Sequence, residues 1–271
     1  MRKTFLATVS ATVLMASAAV AADMPVKARP VPAAMPTWTG FYVGLNAGYA
    51  WGNSDPTLAG NPLVSPFFFS ALTGSPPNLR PAGFIGGGQI GYNWQHDRWV
   101  FGAEVDFSGL NAKDDVSASP FFLGKGNHTF QWSSRYDWLL TARLRAGYLV
   151  APNWLLYATG GLAVTHVKDS AACTSSVTPP LGECGNAGLG SSVTWSDSET
   201  LAGGTAGGGV ETLFAPNWTA RVEYLYAKFK DTTPPVTAST GFAGGVAIPP
   251  LFSFNHNLNI VRFAVNYKFN P

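Results

Sequence analysis

The chain has 271 residues, with 17 basic and 15 acidic side chains, a formal net charge of +2 and two cysteines. Two of the basic residues, Arg2 and Lys3, lie in a segment that we expect to be removed, and 17 − 2 = 15 then equals the 15 acidic residues. Because phosphate binding needs clustered positive charge, a mature chain with a net charge near zero argues against nucleic acid as a partner.

The N-terminus has the features of an export signal. Arg2 and Lys3 precede an apolar run over residues 5–20, and Ala21 or Ala22 is suited to precede the cleavage site. Serines and threonines interrupt the run and no basic stop-transfer cluster follows it, so a transmembrane helix is the weaker interpretation. We therefore expect residues 1–22 to be a cleaved signal peptide and the Pro-rich residues 23–36 to be an extended periplasmic tether.

Later in the chain, apolar and polar residues alternate, most clearly from Trp99 to Ser108. One face of this segment would carry Trp99, Phe101, Ala103, Val105 and Phe107, and the other would carry Val100, Gly102, Glu104, Asp106 and Ser108. No stretch after the N-terminus reaches the roughly 18 apolar residues that a spanning helix needs. Aromatic-rich alternation of this kind is typical of a barrel with lipid outside and polar groups inside.

Eight segments of this kind follow one another in the chain, at residues 41–51, 83–95, 99–108, 135–150, 154–166, 199–214, 217–230 and 258–269. In the fourth segment the alternation places Tyr136 and Trp138 on the outer face, whereas the sixth is so rich in glycine that its faces are hard to assign. Eight is the smallest even number of strands that closes in the outer membrane. The predicted fold is all-β: an eight-stranded antiparallel up-and-down transmembrane barrel over residues 37–271.

The connections between these segments alternate in length. Tight turns at residues 95–98, 151–153 and 215–217 contrast with four long connections at residues 52–82, 109–134, 167–198 and 231–257. Short periplasmic turns and long extracellular loops are characteristic of outer-membrane barrels. Aromatic residues at the turn end predict a belt at the inner lipid boundary, formed by Trp94, Trp99, Trp154, Trp218 and Phe269.

The same alternation predicts eight charged side chains inside the barrel: Glu104, Asp106, Arg143, Arg145, Arg221, Glu223, Arg262 and Lys268. They would form either a permeation path or a structural network. An eight-stranded barrel is only wide enough inside for its own side chains, and buried opposite charges must pair. We therefore expect a packed salt-bridge core, with an open pore as the alternative.

The two cysteines, Cys173 and Cys184, lie in one Gly- and Ser-rich connection. In an exported chain they most simply form a local disulfide in the third outer loop. A metal site is the poorer interpretation, because no histidine or second cysteine pair lies near them in the sequence.

Catalytic and cofactor sites have little support. The four histidines, His96, His128, His166 and His256, lie in no recognisable motif, and no spacing suggests a catalytic triad. Two Pro-flanked aromatic clusters in the loops, Phe67 to Phe69 and Phe121 with Phe122, could instead bind haem or a surface partner. We predict no catalytic, cofactor-binding or metal-binding residues, with a lipid-modifying barrel enzyme or haem binding as distant alternatives.

Three segments carry a resemblance to a known family. They are Trp-Thr-Gly-Phe-Tyr-Val-Gly at residues 38–44, Gly-Phe-Ile-Gly-Gly-Gly-Gln-Ile-Gly-Tyr-Asn-Trp-Gln at residues 83–95, and Asn-Tyr-Lys-Phe at residues 266–269. They resemble the small alphaproteobacterial outer-membrane barrel proteins of the porin-like surface-antigen type. That family usually ends on an aromatic residue, whereas here Asn270 and Pro271 follow Phe269.

The alternation and the resemblance together predict an outer-membrane protein of a Gram-negative bacterium. We expect a structural and surface-interaction role without catalysis, with porin-like diffusion of small solutes as the alternative. The expected partners are outer-membrane lipids and lipopolysaccharide, the barrel-assembly machinery, and a host or surface ligand bound through the long loops.

Overall fold

The computed structural model describes residues 37–58, 78–119, 121–122, 126–175, 192–231 and 252–269. The predicted signal peptide and tether, residues 1–36, lie outside the described residues. No helix among the described residues is long and apolar enough to cross a bilayer.

Nine strands follow in chain order: β1 Gly40–Leu58, β2 Ala82–His96, β3 Trp99–Ala118, β4 Phe121–Phe122, β5 Gly126–Ala151, β6 Trp154–Ser175, β7 Ser192–Ala215, β8 Trp218–Phe229 and β9 Phe252–Lys268. The two-residue β4 pairs only with β5. The other eight pair antiparallel with their neighbours in the chain, and the β1–β9 and β3–β5 ladders complete the ring. The prediction of an eight-stranded up-and-down barrel is confirmed.

The alternation of apolar and polar residues in the sequence matches the alternation of outward-facing and inward-facing side chains in the barrel wall. Along β8, for example, Thr219, Arg221, Glu223, Leu225 and Ala227 are buried inside, whereas Trp218, Val222, Tyr224 and Tyr226 are exposed on the outside. Side chains in a strand point alternately to opposite faces, so one residue of slippage would exchange the two sets. The lipid-facing surface is therefore apolar, whereas the lumen holds the charged side chains together with buried apolar ones.

The predicted aromatic belt lies on the outer surface at the end with the tight turns. Trp94, Trp99, Trp154, Trp218 and Phe269 are all between 43% and 55% exposed. Counting about ten residues per crossing from this belt gives the membrane-spanning segments, which are residues 41–51, 84–94, 99–109, 138–148, 154–164, 204–214, 218–228 and 259–269.

Several strands continue past these segments, which corrects the predicted loops. Residues 109–134 and 167–198 were expected to be connections, but β3 runs to Ala118, β5 starts at Gly126, β6 runs to Ser175 and β7 starts at Ser192. Beyond the bilayer the outer face of the wall meets water rather than lipid, so the contrast in polarity between the two faces fades. Backbone pairing nevertheless continues, because it does not depend on that alternation.

One face assignment was also wrong. Tyr136 was predicted to face lipid beside Trp138, but it is fully buried in the lumen. The register of β5 against β6 shifts between these two residues, so that Tyr136 lies opposite Val167 and Trp138 lies opposite His166. A bulge adds one residue to a strand and reverses the facing of everything beyond it.

Candidate functional site in the barrel lumen

The centre of the lumen is filled by a charge-balanced layer of side chains, which we call the ionic layer. It contains four arginines and four carboxylates, none more than 4% exposed: Arg143, Arg145, Arg221, Arg262, Glu104, Asp106, Glu211 and Glu223. Five strands contribute to it, β3, β5, β7, β8 and β9, since each presents inward-facing charged side chains at this height. Balanced charge is required here because an unpaired buried ion is very costly.

Glu104 is the most heavily shared carboxylate. It accepts two bonds from the guanidinium of Arg221, at 2.5 Å and 2.7 Å, and one from Nη2 of Arg143 at 2.5 Å. The hydroxyl of Tyr42 donates to it at 2.6 Å. These contacts join β1, β3, β5 and β8 across the lumen.

Asp106 and Glu223 extend the layer. Arg262 donates to Asp106 from Nη1 at 2.8 Å and lies 2.7 Å from Glu223 through Nη2. Arg143 lies 3.0 Å from Asp106 and 3.1 Å from Glu223, so it contacts three carboxylates. The seven charges of the predicted network, Glu104, Asp106, Arg143, Arg145, Arg221, Glu223 and Arg262, thus lie together in one connected layer.

Arg145 pairs with a residue that the sequence reasoning missed. Its Nη2 lies 2.5 Å from Oε2 of Glu211, and its guanidinium carbon lies 4.1 Å from the centre of the Tyr157 ring. Glu211 also accepts bonds from Thr219 at 2.6 Å and Asn266 at 3.1 Å. Glu211 lies on the glycine-rich β7, where the alternation Thr205, Gly207, Gly209, Glu211 was the available signal.

Lys268 lies inside the barrel, as the alternation predicts, but outside the ionic layer. It is 3% exposed and its Nζ donates to the backbone carbonyl of Thr37. It therefore fastens the residues just before β1 to the end of β9 rather than balancing a carboxylate.

Below the ionic layer, at the end with the tight turns, an apolar cap closes the lumen. The cap comprises Trp38, Val100, Leu149, Leu155, Tyr157 and Leu213. Trp38 is fully buried, and its Nε1 donates to the carbonyl of Pro152 at 3.3 Å while its backbone N–H donates to Gln95 at 2.8 Å. The residue before β1 is thus held across the mouth of the barrel.

Above the ionic layer, an upper apolar layer fills the lumen. Its largest members include Ile85, Leu110, Leu139, Leu201, Leu225, Phe229, Leu258 and Ile260, all 4% exposed or less. Apolar side chains offer a passing ion nothing to replace its water. The lumen is therefore occupied at three successive levels.

A second polar cluster lies above the upper apolar layer, outside the membrane-spanning segments. Ser54 Oγ lies 3.4 Å and the Tyr136 hydroxyl 3.0 Å from Nδ1 of His256, and Nε2 of His256 lies 3.5 Å from Oδ2 of Asp169. Burial raises the pKa of Asp169 to about 6 and lowers the pKa of His256 to about 4. No sequence spacing predicted this meeting of β1, β5, β6 and β9.

Ser54, His256 and Asp169 have the residue types of a catalytic triad, but their setting differs from that of a working one. A nucleophile must reach a substrate carbonyl. Ser54 and His256 are both fully buried, and Tyr136 lies closer to Nδ1 of His256 than Ser54 does.

Other predicted sites are only partly described. Cys184 and Phe67 to Phe69 lie outside the described residues, and the side chains of Cys173, Phe121, Phe122 and His128 are likewise not described, so the disulfide stays a prediction. His96 is exposed in the β2–β3 turn, and His166 faces outward from β6. Within the described part of the chain, no group of three or more His, Cys, Asp or Glu residues is placed to hold a metal ion.

Comparison with known proteins agrees with this architecture. The sequence matches the family described as outer membrane protein beta-barrel domain over residues 8–269. It is 34% identical to a 31 kDa outer-membrane immunogenic protein of Brucella melitensis over 99% of this chain and 100% of that protein. It is 30% identical to a 22 kDa outer membrane protein of Rhizobium leguminosarum over 68% of this chain and 66% of that protein.

Among solved structures, Ail, the attachment invasion locus protein of Yersinia pestis, aligns with 85% of this chain and 99% of its own, at 15% identity and a TM-score of 0.34.

Proposed function

The chain belongs to the outer membrane protein beta-barrel domain family and is located in the outer membrane, and we propose that it is a closed, non-catalytic barrel that anchors an extracellular strand-and-loop surface for interaction. The observation that carries the proposal is the ionic layer held between two apolar layers. A barrel built for diffusion needs a continuous aqueous path, whereas here each level of the lumen is filled by side chains that bond or pack with one another.

The extracellular end supports an interaction role. Residues 126–137 of β5 and 165–175 of β6 continue as paired strands beyond the membrane-spanning segments. They form a rigid support for the connections above them, and binding residues are often found on loops that a rigid scaffold positions. The matched Brucella protein is named as an outer-membrane immunogenic protein, which is compatible with an interaction role at the surface.

The absence of catalysis is part of the proposal and rests on the burial of the Ser54, His256 and Asp169 cluster. A water-filled approach to Ser54 would be needed for acyl transfer. Hydrolysis of a soluble acyl ester by the purified barrel, lost on Ser54→Ala, would contradict this part of the proposal.

The test of the closed barrel is single-channel recording in planar bilayers. We expect the purified protein either to show no conductance or to give only small, rare steps, because no path wider than about one water molecule crosses a barrel of this size. Refolded protein should first be verified by its heat-modified gel mobility. Stable, large steps from the unmutated protein would overturn the proposal and favour the porin alternative.

A further inference from the structure

A row of basic residues lies on the outer wall just above the bilayer. Lys113 on β3 is the direct cross-strand partner of Arg135 on β5, and Arg135 is the direct partner of Lys168 on β6. All three side chains are exposed, Arg135 by 55% and Lys168 by 52%. We call these three residues the basic row.

Such a row is unfavourable in isolation. Direct neighbours in an antiparallel ladder are only about 4.5–5.5 Å apart, and like charges in that position are destabilising. One carboxylate, Asp137, lies among them, with Oδ1 3.0 Å from Nε of Arg135 and Oδ2 2.6 Å from Nζ of Lys168. The hydrogen bond from Lys168 lowers the pKa of Asp137, which keeps this carboxylate charged. Asp115 is a second nearby carboxylate, exposed two residues beyond Lys113 on the same face of β3, so three cations and two carboxylates leave one net positive charge at this spot.

The position of the basic row along the membrane normal indicates which region of the bilayer it contacts. Arg135 lies 13 residues before Tyr148, which contacts the belt residue Trp99, and one of those residues, Asp137, is the bulge and adds no rise. Twelve steps of about 3.4 Å at a tilt of 35–45° give about 29–33 Å along the membrane normal. The apolar band of such a barrel is about 25 Å tall, so the basic row lies in the headgroup region of the outer leaflet.

Aromatic rings directly below the row mark the same boundary. Trp138 stacks on His166 with ring centres 6.2 Å apart and planes 6° from parallel, and Phe107 lies 6.0 Å from Trp138. Tryptophan and other amphipathic rings collect at the lipid–water interface. The wall thus presents an aromatic surface for acyl chains and, one step higher, a basic surface for anionic groups.

We propose that Lys113, Arg135 and Lys168 bind a phosphate group on the headgroup of an outer-leaflet glycolipid, lipid A. The guanidinium of Arg135 suits a phosphate because it can donate two parallel hydrogen bonds, while the two lysines add charge on either side. Asp137 holds Arg135 and Lys168 in place when the lipid is absent and competes with the phosphate for them. The proposal rests on the outer-membrane location and is independent of whether the lumen conducts.

The experiment counts lipid A bound to the full-length barrel in non-ionic detergent by native mass spectrometry. The lipid probes are lipid A with both phosphates and the same lipid with its phosphates removed, and inorganic phosphate alone is the third probe. Each anchoring charge near a membrane surface contributes about 1 kcal/mol, so we expect Lys113→Gln/Arg135→Gln/Lys168→Gln to raise the Kd for phosphorylated lipid A by about tenfold or more. The dephosphorylated lipid should bind weakly to every variant.

Two further variants make the test specific. Asp137→Asn removes the competing carboxylate and should lower the Kd severalfold, a gain that a purely structural role of Asp137 does not predict. Arg98→Gln removes one exposed cation at the opposite, periplasmic end and should leave the Kd unchanged. Equal binding of the two lipids, unchanged binding in the triple variant, or equally strong binding of inorganic phosphate would each overturn the assignment.

Discussion

At the scale of single residues, several charged side chains of the ionic layer contact more than one partner of opposite charge. Glu104 bonds to two arginines and a tyrosine, while Arg143 contacts three carboxylates. Sharing lets eight buried charges from five strands neutralise one another. It also means that removing one member leaves several partners without their counter-charge, which for a buried pair costs about 3–5 kcal/mol.

In the second polar cluster, the titrations of Asp169 and His256 change the free energy of unfolding in opposite directions as the pH changes. The pKa of Asp169 is raised to about 6 from an ordinary value near 3.9, so its stabilising contribution is lost as the pH rises from about 4 through 6. The pKa of His256 is lowered to about 4 from near 6.5, so its contribution is lost as the pH falls from about 6.5 through 4. In the intact protein, the pH dependences of the unfolding free energy that come from these two groups oppose each other.

Single substitutions in this cluster should therefore reveal opposite pH dependences. Asp169→Asn should leave a barrel that loses about 2–3 kcal/mol of unfolding free energy between pH 7 and pH 4, because only the histidine still titrates. His256→Gln should instead lose a similar amount as the pH rises over the same range. Urea unfolding in phospholipid vesicles measures both, with the wild-type chain as the nearly flat control. The same pH trend in both variants would contradict the pKa directions.

At the scale of strands, the space around a glycine depends on whether it faces the lumen or the lipid. A Cβ atom on the inward-facing Gly87 would come within 2.5 Å of the Cα of Ser108, whereas one on the outward-facing Gly86 would meet nothing closer than the Asn46 carbonyl oxygen at 3.5 Å. The inward glycines of this narrow barrel therefore make room for neighbouring backbone. The outward-facing Gly86 and Gly88 of β2 have space beside them.

Adjacent alanine substitutions on β2 test this distinction. Gly87→Ala should destabilise the barrel by about 1–3 kcal/mol, because the inserted methyl group has to displace backbone. Gly86→Ala, its matched control one residue away, should be neutral or slightly stabilising, because it lowers the entropy of the unfolded chain. The difference between their urea midpoints is the measurement, and equal midpoints would show that β2 is not held in this register.

At the scale of the whole molecule, the proposed closure of the lumen involves three layers of side chains. The apolar cap, the ionic layer and the upper apolar layer each span the interior. A change that loosens one layer leaves the other two in place. Conductance should therefore resist changes confined to the ionic layer.

The variant Glu104→Ala/Arg221→Ala examines this redundancy. It removes one acid and one base, so that Arg143 and Arg262 keep Asp106 and Glu223 as partners. We expect the folded double variant to remain as non-conducting as the wild type, because apolar side chains still fill the lumen above and below. Folding is checked by heat-modified mobility and conductance by planar-bilayer recording. Frequent, stable steps would mean that the ionic layer alone closes the barrel.

The sequence by itself determined the location, the number of barrel strands and the polarity of each face. These follow from a two-residue period that all but the glycine-rich sixth segment carry clearly, and from turn and loop lengths that can be read along the chain. Seven of the eight ionic-layer residues were recognised in this way. The belt of Trp94, Trp99, Trp154 and Trp218 was recognised by its position beside the turns.

Only the tertiary structure decided which charged side chains contact one another, and how far the strands extend above the bilayer. Glu211 pairs with Arg145 because β5 and β7 flank β6 on either side and their inward-facing side chains meet over it, which no local pattern records. The bulge that turns Tyr136 inward reflects the register between β5 and β6, and the meeting of Ser54, His256 and Asp169 depends on the same registers. Strand length above the bilayer escaped prediction because backbone pairing continues there without the contrast between lipid and lumen that makes a strand visible in the sequence.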